Sequence, residues 1–87
     1  MASYELVFRK SVAKDLRRFS NDDVAHILER IRALKDDPRP PGCEKLSGLE
    51  RYRVRQGVYR IVYEVQDSKL VVLVVKIGHR RDVYRTR

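Results

Sequence analysis

Residues 51–77 read RYRVRQGVYRIVYEVQDSKLVVLVVKI, and the way this stretch alternates decides the fold. In Arg51 to Arg55 every second residue is an arginine, with Tyr52 and Val54 between them. Successive side chains of a strand point to opposite faces, so one face is cationic and the other apolar. Val58 to Val65 continues the period: Tyr59, Ile61 and Tyr63 share one face, and Arg60, Val62 and Glu64 the other. Leu70 to Ile77 is a third strand. Its run Val71-Val72-Leu73-Val74-Val75 is apolar on both faces, which predicts the central, most buried strand. Gln56-Gly57 and Gln66-Asp67-Ser68-Lys69 are short connections, so the three strands form an antiparallel meander.

Upstream, the period changes. Tyr4 to Arg9 alternates as a strand with Tyr4, Leu6 and Phe8 on its buried face. Ser11 is placed to cap a first helix, in which Val12, Leu16 and Phe19 follow at helical spacing. Ser20-Asn21-Asp22-Asp23 interrupts it and caps a second helix, whose stripe is Val24, Ile27, Leu28, Ile31 and Leu34. Asp37-Pro38-Arg39-Pro40-Pro41-Gly42 ends that helix, because proline removes a donor and restricts the residue before it. The expected fold is a single α+β domain over residues 1–87, β-α-α-β-β-β, with a helical hairpin packed on an antiparallel sheet.

Composition narrows the function. Of 87 residues, 43% are hydrophobic and 37% charged, which suits a globular chain. No apolar run approaches the roughly 20 residues of a bilayer span, and Met1 to Lys10 lacks a secretory apolar stretch. Cys43 is the sole cysteine, so no internal disulfide forms, and the cytoplasm is the expected location. A formal charge of +8 on so small a chain implies a polyanionic partner, most simply nucleic acid.

Alternation also gathers the candidate site. Arg53 and Arg55 on one strand and Arg60 on the next are expected to form a guanidinium patch; like charges on neighbouring strands repel, so an anion is the natural occupant. After Gly78, where the backbone can turn, His79, Arg80 and Arg81 are expected to rise beside the hairpin, with Tyr84 as an aromatic among cations. Lys45, Arg51, Lys76, Arg81 and Arg85 are the further basic residues expected to contact RNA. His26, on the second helix, is read as surface. Other chemistries fit poorly. Gly42, Gly48, Gly57 and Gly78 are too scattered for a phosphate-cradling loop, and one cysteine with two distant histidines makes no zinc site. The acidic residues lie mainly on helices and loops rather than converging as a two-metal nuclease requires.

With these features in order, the whole chain resembles the RelE/ParE superfamily of toxins. The resemblance rests on the element order, Lys45-Leu46-Ser47-Gly48-Leu49, Tyr52-Arg53-Val54-Arg55, Tyr59-Arg60-Ile61-Val62-Tyr63 and Gly78-His79-Arg80-Arg81-Asp82-Val83-Tyr84. It implies a type II toxin-antitoxin system, a ribosome-dependent endoribonuclease cutting mRNA in the decoding site of the 70S ribosome, beside 16S rRNA, and a cognate antitoxin. No cofactor or metal is expected. By resemblance, Arg53 and Arg55 match the basic pair of the first hairpin strand, Arg60 the residue holding the scissile phosphate, Arg80 the one beside the leaving group, and Tyr84 the tyrosine that stacks on a base. In the best-known RelE members the hairpin pair is lysine. Arginine does not lose its proton in proteins, so Arg53 and Arg55 are not general bases. His79 and Tyr84 both stay open for that role. The alternatives are a non-enzymatic poison of DNA gyrase like ParE, and an inert RNA-binding module.

Overall fold

The computed structural model describes residues 3–46 and 50–79. The elements are β1 (Glu5–Phe8), α1 (Lys10–Leu16), α2 (Asn21–Ala33), β2 (Glu44–Leu46), β3 (Arg51–Gln56), β4 (Tyr59–Gln66) and β5 (Val71–His79). Together the strands form one sheet in the order β1-β5-β4-β3-β2. The helices pack on one face of it, and the α+β arrangement expected from the alternation is the one observed.

Three details differ from expectation. First, the sheet is mixed: β3, β4 and β5 form the antiparallel meander, but β1 runs parallel to β5, Glu5 opposite Val71 and Phe8 opposite Val74. The two helices form the long crossover that carries the chain from β1 to the far side of the sheet. Second, Glu44–Leu46 adds a short edge strand against β3. Its presence makes β4 the middle strand, so the valine-rich β5 lies second in the sheet, between β1 and β4. Third, the apolar run in β5 conceals a bulge. Tyr63 pairs with Val74 and Val62 with Lys76, so Val75 is the extra residue and the phase shifts there. Val72, Val74 and Ile77 thereby all reach the core, whereas Val71 and Leu73 are only half-buried.

Helix starts follow local hydrogen bonding. The Arg9 N–H still donates to Val74 O, at 3.1 Å, which holds Arg9 extended and makes it the N-cap of α1. Ser11, expected to cap, lies within the first turn. At α2 the expected cap is present: Ser20 Oγ accepts from the Asp23 N–H at 3.2 Å. Asp22 and Asp23 in the first turn and Arg30 and Arg32 in the last complement the helix dipole.

Ile27, Ile31 and Leu34 of the α2 stripe are fully buried, as is Val12 of α1. They meet Tyr52, Val54, Ile61, Tyr63, Val65, Val72, Val74 and Ile77 from the sheet. Each fully buried aliphatic side chain contributes about 1.5–3 kcal/mol. Tyr4 and Leu6 pack against this core, but Phe8, expected beside them, is 39% exposed at the end of its edge strand. Burial pushes the Tyr63 phenol well above its usual range, and its hydroxyl donates to Pro38 O at 2.7 Å.

Arg39, in the proline-rich segment after α2, ties β3 to the connection between β4 and β5. Its guanidinium donates to both carboxylate oxygens of Asp67, at 3.2 and 2.8 Å, and its Nε donates to Tyr52 Oη at 2.8 Å. Tyr4 Oη donates to Asp67 as well, at 2.6 Å. The hydrogen bonds from Arg39 and then Tyr4 hold the Asp67 carboxyl below its ordinary range. A depressed folded-state pKa contributes stability above the unfolded value of about 3.9, lost as pH falls through the folded value. Asp67→Asn is thus expected to lower the thermal midpoint at pH 7, with the gap to wild type closing below about pH 4. A gap that persists undiminished at pH 3 would show that the effect is not ionic.

Candidate active site

The face of the sheet away from the core carries the arginines. Pairing places Arg51 opposite Glu64, Arg53 opposite Val62 and Arg55 opposite Arg60, so all of these share one face, while Tyr52, Val54, Ile61 and Tyr63 are buried on the other. The alternation that predicted a guanidinium patch is therefore present in the register itself.

The patch is not uniform. Arg51 Nε donates to Glu64 Oε2 at 3.2 Å, and Gln66 donates to Glu64 Oε1 at 3.2 Å. Hydrogen bonds from Gln66 and Arg51 hold the Glu64 carboxyl below its ordinary range. This end is neutralised from within. At the other end Arg55 is exposed, directly across from Arg60, and two like charges so placed repel. The Arg60 and Arg53 side chains are only 9% and 13% exposed. Both approach one oxygen, Glu44 Oε1 of β2: Arg53 Nη2 at 3.1 Å and Arg60 Nη1 at 3.8 Å. Glu44 was not anticipated, because a three-residue strand shows no alternation and nothing local announces its register.

Guanidinium groups converging on one carboxylate oxygen can bind an oxyanion through parallel N–H donors, more strongly than neutral donors would. They stabilise developing negative charge; they do not take up protons.

The register sorts the remaining expected residues. His79 pairs with Tyr59, whose ring packs on the core and whose hydroxyl donates to Asp23 of α2 at 2.8 Å. Directly paired residues share a face, so His79 lies on the helix side, away from Arg53, Arg55 and Arg60. Lys45 pairs with Tyr52, also away from the arginines, and its ammonium lies 3.6 Å from Glu50. Lys76 pairs with Val62 and its ammonium lies 3.5 Å from Asp15, a buried carboxylate of α1. Arg80, Arg81, Tyr84 and Arg85 lie outside the described residues. Among the described residues, no group of three or more His, Cys, Asp or Glu side chains is disposed to hold a metal ion.

Over residues 6–84 the chain matches the family described as ParE toxin of type II toxin-antitoxin system, parDE. It is 28% identical over 86 residues to a putative RelE-like toxin protein of Escherichia coli, covering 93% of this chain and 90% of that protein. It is also 28% identical over 81 residues to the mRNA interferase toxin RelE of E. coli, covering 90% and 84% respectively. The fold superposes on that of a chain of the archaeal RelE–RelB complex from Pyrococcus horikoshii with a TM-score of 0.82 and 28% identity, over 90% of this chain and 96% of that one. The element order, the arginine-bearing hairpin and these likenesses agree: the chain belongs to the RelE/ParE superfamily of toxins of type II toxin-antitoxin systems.

Proposed function

We propose that this toxin is a ribosome-dependent mRNA interferase, an endoribonuclease that inhibits translation by cutting mRNA in the ribosomal A site in the cytoplasm. The observation that carries the reading is Arg60, a nearly buried guanidinium near the start of β4, beside Arg53 on the face of the sheet away from the core. The reaction is attack of a ribose 2′-OH on the adjacent phosphate, which needs in-line geometry and stabilisation of a more negative phosphorane. Arg60 with Arg53 or Arg55 binds the non-bridging oxygens. Arg80 assists departure of the 5′-oxygen, and Tyr84 stacks on a base. The arginines cannot act as base, and His79 pairs on the opposite side of the sheet; Tyr84 is then the better of the two expected proton acceptors, provided neighbouring cations lower its pKa. Arg51, Arg81 and Arg85 add phosphate contacts to mRNA and 16S rRNA, with lesser parts for Lys45 and Lys76. A cognate antitoxin, acidic to match the +8 charge, neutralises the toxin.

The second reading, a gyrase poison without nuclease activity, is favoured by the ParE description of the matched family. In vitro translation with the purified toxin, followed by mapping of mRNA 5′ ends, separates the two. The expected result is new 5′ ends inside codons on translated message only, with activity falling steeply between about 50 and 200 mM salt as counterion release requires. Intact mRNA together with inhibited supercoiling by gyrase would replace the nuclease reading with the second one.

A further inference from the structure

Building on the arginine-face reading above, we propose that Glu44 is a resident anion which occupies the phosphate subsite and must be displaced by the substrate. Its Oε1 lies 3.1 Å from Arg53 Nη2 and 3.8 Å from Arg60 Nη1, so a single oxygen sits where a phosphate oxygen would bridge the two guanidiniums. The partners differ in mobility. The arginine side chains are 9% and 13% exposed, whereas that of Glu44 is 56% exposed on a three-residue edge strand. Freeing the glutamate means swinging one exposed side chain away from the two guanidiniums; moving the arginines would disrupt two internal strands.

Nearly buried guanidiniums are costly without a counter-anion. The direct opposition of Arg55 and Arg60 adds to that cost. Glu44 offsets it in the empty protein and holds Arg53 and Arg60 in position for a phosphate. The same contact lowers apparent affinity, because only the fraction of molecules with Glu44 displaced is competent to bind. Glu44 is thus a positioning residue that sets a threshold, so that a phosphodiester held by further contacts enters and a weakly held anion does not.

The test is binding of a 2′-deoxy dinucleotide, which cannot be cleaved by 2′-OH attack, to the isolated protein. Wild type is compared with Glu44→Gln, Glu44→Asp and Arg60→Ala, each checked for folding by its thermal midpoint. Glu44→Gln is expected to tighten binding about tenfold, and in cleavage on programmed ribosomes to lower KM while leaving kcat within about twofold. Glu44→Asp should stay near wild type, and Arg60→Ala should lose binding. Should the glutamine variant fail to fold, Glu44→Thr, a better strand former, takes its place. Equal or weaker binding by the neutral variants, with Arg60→Ala still defective, would overturn the role of Glu44 and leave the arginine face standing. Equal, weak binding by all four proteins would remove the phosphate subsite, and this inference with it.

Discussion

Arg60→Ala is expected to slow single-turnover cleavage of mRNA on programmed ribosomes by about 10²–10³-fold, the cost of losing one donor to a developing oxyanion. Arg51→Ala is expected to slow it by less than about tenfold. Both variants remove one positive charge from the same face, so long-range attraction to RNA falls equally. Their surroundings differ. Arg51 is already engaged by Glu64 at 3.2 Å, and its removal mainly releases that carboxylate. Arg60 is held near the start of β4, paired with Arg55 on one side and Gly78 on the other, with its side chain 9% exposed. A fixed guanidinium needs little reorganisation as charge develops, which is where electrostatic catalysis gains most. Arg60→Lys keeps the charge but loses the planar fork, and an intermediate loss is expected. Equal losses for Arg60→Ala and Arg51→Ala would mean that total charge, not position, governs activity.

The arginine face was legible because a period of two survives any error in strand boundaries. Tyr52 and Val54 had to face one way, which left Arg51, Arg53 and Arg55 the other, and the observed register adds Arg60. What was hidden depended on partners distant in sequence. The parallel pairing of β1 with β5 is decided by where two helices deposit the chain, not by anything in Glu5 to Phe8. The bulge at Val75 lies in a run of valines and leucine whose apolar pattern is unchanged by a shift of one residue. His79 follows from that shift: its face is set by pairing with Tyr59, and a reading of the Gly78-His79-Arg80 segment by itself put it with the arginines. Arg39 sits among three prolines, where the sequence announces a helix stop and nothing more, yet it makes the bidentate contact to Asp67. In each case the missing information was a tertiary contact, which composition and periodicity do not encode.

Ile61→Ala is expected to destabilise the protein by about 2–5 kcal/mol, the range for truncating a buried isoleucine. Ile61 is wholly inaccessible to solvent, paired with Val54 on β3 and Ile77 on β5 in the core beneath the helices. At about 0.05–0.15 kcal/mol per residue, a chain of 87 residues has a total stability of roughly 4–13 kcal/mol. One truncation therefore removes a large share of it. In urea the midpoint should fall with the slope unchanged, since the surface exposed on unfolding is nearly the same. The residue adjoins Arg60 but points to the opposite face, which makes the pair informative. Ile61→Ala should retain cleavage per folded molecule at low temperature, while Arg60→Ala should lose cleavage in a protein that still unfolds cooperatively. If Ile61→Ala shifted the urea midpoint by the equivalent of less than about 1 kcal/mol, the void would have collapsed. The rigid backing that holds Arg60 against its phosphate would then not be supplied by this layer of the core.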